Sequence, residues 1–96
     1  MSVTKADVLD EAKATVAGRG KSYGAPEDNF DRIARRWTVH MRNRYGDQGV
    51  VFDAQDVSMM MIDLKLARLE NDPAHADSWV DVAGYAACGG ELAARK

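Results

Sequence analysis

The sequence predicts an all-α fold: a four-helix bundle completed by oligomerisation, in one helical domain spanning residues 1–96. Three observations predict it. Apolar residues recur at spacings of three and four in stretches separated by Gly- and Pro-containing turns. No alternating strand pattern runs beyond a few residues; Val50-Val51-Phe52 is the one candidate and is too short to pair alone. The third stretch is apolar on nearly every side, which so short a chain can hardly cover by itself.

The first helix begins after Thr4, a good N-cap, and runs to Gly18, a good C′ residue. Val8, Leu9, Ala12 and Val16 form its apolar stripe. A loop is expected from Arg19 to Ala25. Pro26 suits the first turn of the second helix, and Glu27, Asp28 and Asp31 lie near the positive end of its dipole. Its inward face reads Phe30, Ile33, Ala34, Trp37, Met41; the opposite face carries Arg32, Arg35, Arg36 and Arg42. The helix stops near Tyr45-Gly46, and the loop that follows is expected to tuck Val51 and Phe52 into the core. Asp53 and Asp56 stand three apart as a capping pair for the third helix, Ala54 to Asn71, which ends before Asp72-Pro73. The fourth helix starts near Asp77, with fraying expected around Gly89-Gly90.

At about 100° per residue, Val57, Met61 and Leu64 fall on one side of the third helix. Ile62 and Leu69 fall on a second side, Met59 and Leu66 on a third. A helix apolar nearly all round is expected at a subunit interface of a homo-oligomer.

Composition removes several function classes. With 46% hydrophobic residues and a net charge of -2, the chain is not of the disordered type. No apolar run approaches the roughly 20 residues of a membrane span, so no membrane partner is expected. The first residues hold acids where a secretory signal needs an apolar stretch, and a cytoplasmic location is expected. Cys88 is the lone cysteine, so no disulfide can form within the chain. His40 and His75 make no metal-binding pattern and have no partner near them in sequence. A balance of 13 basic and 15 acidic residues argues against duplex DNA as a partner.

Two clusters bear chemistry. Arg19, Lys21, Ser22 and Tyr23, between glycines, can bring cations and backbone N–H groups to a phosphate while a ring stacks on a base. Gly20-Lys21-Ser22 is not the end of a P-loop, because Thr15 stands where that motif needs glycine. The same residues also read as a plain solvated turn. Asp77 and Asp81 share a face at the start of the fourth helix, with Tyr85 bordering it. Asp56 and Asp63 lie two turns apart on the third helix, roughly 10 Å, too far to grip one ion together. The acids admit two readings: part of a divalent-cation site, or an N-cap at Asp77 and an ion pair from Asp81 to Lys65 or Arg68.

The strings R-x-K-x-Y-G-x-P-x-x-N-F-x-R-I-A-x-x-W (Arg19 to Trp37), D-V-x-x-M-M-x-x-x-K-x-A-R (Asp56 to Arg68) and D-S-W-V-D-V-A-G-Y-A-A (Asp77 to Ala87) resemble a family of small phage and prophage proteins. That family looks like a branch of the all-α nucleotide pyrophosphohydrolases, the MazG-like proteins. The resemblance covers nearly the whole chain. It implies a MazG-like helical bundle, assembled as an oligomer, with nucleotide sites between helices. MazG-like hydrolases hold magnesium through EExxE on one helix and ExxD on the next. Here Asp81 fits the last acid of ExxD, but Ser78 replaces its glutamate, and Met59, Met60, Met61 and Asp63 occupy the expected EExxE region.

Three functions follow as expectations. The first is nucleotide binding without efficient turnover, including sequestration of a nucleotide or cyclic nucleotide used by host defence. Arg19, Lys21 and Arg32 would meet phosphate, Tyr23 would stack, and Asn29, Asp77 or Asp81 would read base or ribose edges; Lys65, Arg68 and Tyr85 complete the candidate set. The second is a magnesium-dependent pyrophosphohydrolase, with Asp63, Asp77 and Asp81 on the ion and Lys65 or Arg68 on the leaving phosphate. Magnesium enters only with this reading. The third is a protein-interaction module built on the apolar third helix.

Overall fold

In a computed structural model of the chain, residues 3–23 and 26–95 are described; the side chains of residues 19–23, 26 and 27 lie outside that set. The described residues form four helices and no strand: α1 (Lys5–Tyr23), α2 (Pro26–Tyr45), α3 (Ala54–Asn71) and α4 (Ala76–Ala94).

Local chemistry sets most of the boundaries. The Thr4 hydroxyl accepts from the Asp7 N–H, and the Asp7 carboxylate accepts from the Thr4 N–H, a capping box that starts α1. Asp53 and Asp56 repeat the device at α3, at 2.9 Å in both directions. Gly46 and Gly49 turn the chain between α2 and α3 with φ of 78° and 73°, a region open to glycine.

Three expectations about boundaries are corrected. α1 does not stop at Gly18; its backbone stays helical through Tyr23, and Gly18 does not adopt the positive φ of a helix-ending glycine. A helix-interior glycine costs only about 1 kcal/mol, which propagation through its neighbours can offset. The N-cap of α4 is His75, not Asp77: its Nδ1 accepts from the Ser78 N–H and faces the Ser78 hydroxyl at 2.8 Å. Asp77 instead sits in the first turn. Nor does α4 break at Gly89-Gly90.

α3 and α4 run antiparallel and make the closest pairing in the fold. Gly89 lets them approach, since a Cβ there would stand 3.1 Å from the Ser58 Cβ. Gly84 faces α1, where a Cβ would meet the Val16 side chain at 3.5 Å, an ordinary contact. α2 joins through the loop: Phe52 donates its N–H to the Thr38 hydroxyl at 2.9 Å and sets its ring edge-on to Trp37. Val51 is 72% exposed, contrary to expectation. In extended chain adjacent side chains point to opposite sides, so seating Phe52 turns Val51 outward.

The central core cluster is Phe30, Ala34, Ala54 and Val57, with Ile33, Trp37, Phe52, Met61, Tyr85, Cys88 and Leu92 packed around it, and Ala12, Leu69 and Val80 are buried as well. It is thin, and the molecule measures 50 × 30 × 24 Å. Its radius of gyration is 14.9 Å, where a compact domain of this length has about 12.5 Å. Consistent with that shape, Met59, Met60, Leu64 and Leu66 of α3 remain exposed, Met59 at 60%. No described helix is long and apolar enough to cross a membrane.

Candidate functional site

Alternation of core and solvent faces along α2 fixes what the helix offers outward. With Phe30 and Ala34 buried, and Ile33 and Trp37 against the core, the side opposite is cationic. Arg32, Arg35 and Arg36, with Val39, His40 and Asn43, line one open depression of about 620 Å³. All three arginines are exposed. Asp28 and Asp31 stand one turn before Arg32 and Arg35, yet no ion pair joins these residues to each other or to any other described residue. Among the described residues, no carboxylate takes up the hydrogen-bonding capacity of these guanidinium groups.

The acidic cluster has a different fate. Lys65 Nζ lies 2.9 Å from the Asp81 carboxylate, and both side chains are largely withdrawn from water. Of the two readings of Asp81, the ion pair is the one formed. Asp77, one turn earlier, is exposed. Asp63 is also exposed: two residues before Lys65 it points about 200° away, so it cannot turn toward α4 while Lys65 does. Among the described residues no three His, Cys, Asp or Glu side chains form a group that could hold a metal. The trio Asp63, Asp77 and Asp81 is thus not brought together.

The other predicted positions are dispersed. Arg19, Lys21 and Tyr23 belong to the C-terminal part of α1, and their side chains lie outside the described residues. Asn29 is half-buried on α2 and Arg68 exposed on α3. Tyr85 is half-buried with its ring centroid 6.1 Å from that of Phe30, which makes it part of the core packing. Arg32 is the predicted residue that borders the depression; Arg35, Arg36, His40 and Asn43 join it without having been assigned a binding role. The signal was present in the run of arginines opposite the apolar stripe.

Comparison with known proteins places the chain in a family. Residues 7–93 match the domain of unknown function DUF6378. The chain belongs to the DUF6378 family. It is 40% identical over 80 residues to the Gene 55 protein of Mycobacterium phage L5, covering 82% of this chain and 47% of that protein. It is 37% identical over 82 residues to the Gene 55 protein of Mycobacterium phage D29, covering 84% of this chain and 50% of that protein. The chain thus spans about half the length of these curated relatives, as a member of a phage protein family. No solved structure gives a significant match.

Proposed function

We propose that this DUF6378 protein binds a phosphorylated nucleotide, with the arginine face of α2 as its phosphate-holding surface. The carrying observation is the group Arg32, Arg35 and Arg36, exposed around one depression and without a carboxylate partner among the described residues. Guanidinium forks match phosphate oxygens two at a time, and they stay charged at any physiological pH. His40 and Asn43 at the same depression supply a ring and an amide for a base.

Binding without turnover is favoured over magnesium-dependent hydrolysis. The hydrolase reading would put Asp81 on a metal and Lys65 on a leaving phosphate, but these two groups engage each other. A phage protein that holds a nucleotide without consuming it lowers the free concentration stoichiometrically, the behaviour of an anti-defence sponge in the host cytoplasm.

The test is a thermal-shift screen with mono-, di- and cyclic nucleotides, with and without magnesium. A ligand at 100 times its Kd adds about 2.7 kcal/mol to stability, and Arg32→Ala should reduce the shift. No shift with any nucleotide overturns the proposal; magnesium-dependent release of pyrophosphate would replace it with the hydrolase reading.

Self-association is a second element of the proposal. The exposed Met59, Met60, Leu64 and Leu66 on a helix already packed against α2 and α4 favour a second copy completing the thin core.

A further inference from the structure

The arginines of α2 are arranged along a line rather than around a point. Arg32 and Arg36 are one turn apart on one side of the helix, with Asn43 close to two turns further on, and Arg35 and Val39 beside them. From residue 32 to residue 43 the helix rises about 16 Å. Sites for single small molecules are concave and gather their polar groups inward around one ligand. Here every described lining residue comes from one helix, and the depression is open to solvent. An open cationic groove with a ring beside it suits a strand, whose phosphates recur along a backbone and whose bases stack. Val39 is 51% exposed among these cations and offers an apolar contact to a base or sugar.

We infer that the α2 face binds a short single-stranded oligonucleotide in preference to a lone nucleotide. The inference rests on the reading of this face as a phosphate site and names the class of ligand it takes. A chain with net charge of -2 lacks the broad basic face that duplex DNA demands. A strand needs only a local stripe of cations. With three arginines neutralising phosphates at about 0.7 counterions each, the logarithm of the binding constant should fall against the logarithm of salt with a slope of about -2. That is a loss of about 20-fold between 50 and 200 mM salt.

The experiment is fluorescence anisotropy of the full chain with labelled oligo-dT and oligo-U of increasing length, with unlabelled mononucleotides as competitors. Oligomers should bind at least about tenfold more tightly than mononucleotides, with the salt slope above. Comparison of the deoxy and ribo series shows which strand is preferred. Arg35→Ala/Arg36→Ala should weaken binding at least tenfold with an unchanged helical circular-dichroism spectrum, while Lys13→Ala, an exposed cation on α1, should leave it intact. Mononucleotides that bind as tightly as oligomers overturn the strand inference and leave the nucleotide reading standing. Binding of neither overturns both. Retained oligonucleotide binding in the double variant, or equal binding of polyglutamate, also overturns the inference, the latter in favour of an acidic protein partner.

Discussion

Lys65 and Asp81 clasp α3 to α4 through an ion pair, 2.9 Å from Nζ to carboxylate, with the two side chains 13% and 24% exposed. In that setting the pair is neither a solvated surface contact nor a fully dry one. Removal of one partner strands the other charge at a packed helix interface. Asp81→Ala should therefore lower stability by about 2 kcal/mol, between the values for exposed and buried pairs. The midpoint should fall by about 10 °C. The double replacement Lys65→Met/Asp81→Leu should recover most of that loss, and thermal denaturation of the three variants checks the coupling.

Adjacent glycines of α4 should respond in opposite directions. At Gly89 a new methyl would stand 3.1 Å from the Ser58 Cβ, on a side chain only 1% exposed whose Cβ is fixed by the α3 backbone. Gly89→Ala should destabilise by about 1 kcal/mol, since overpacking outweighs the gain in helix propensity. At Gly90 nothing lies within 4 Å, and Gly90→Ala should stabilise by up to about 1 kcal/mol. Chemical denaturation of the two variants side by side measures the difference.

The start of α1 should be sensitive to acid. Hydrogen bonds from the Thr4 N–H and hydroxyl hold the Asp7 carboxyl below the ordinary aspartate range. A group whose folded pKa is depressed contributes stability that is present above its unfolded pKa and is lost as pH falls through the folded one. The first turn of α1 should therefore loosen only on acidification below the ordinary aspartate range. Amide exchange at residues 5–9 reads this directly, and Asp7→Asn should remove the pH dependence.

The exposed side of α3 predicts the solution state. Light scattering at micromolar concentration should report an oligomer, and Met59→Lys/Leu66→Lys should shift it to monomer while helix content is kept. A wild-type monomer would remove the self-association element of the proposal and leave the α2 face untouched.

Apolar spacing and turn chemistry made the helices legible in advance. The Asp53–Asp56 capping box and the limits of α3 are local properties, set by hydrogen bonds across three residues. The arginine face of α2 was equally readable, because a 3.6-residue period separates core from solvent. What no local rule decided was the partner of each charge. Asp81 and Lys65 are 16 positions apart, and only the antiparallel seating of α3 on α4, made close by Gly89, turns one acid into a structural clasp and leaves Asp63 outside. The same holds for Val51, which local apolarity assigned to the core and the seating of Phe52 against Trp37 turned to water. Sequence by itself determined four helices, the N-caps of α1 and α3 and the helix faces, since these depend on neighbours within a turn or two. Tertiary structure decided which charged groups neutralise one another and which have no partner among the described residues, because that depends on distances between elements remote along the chain.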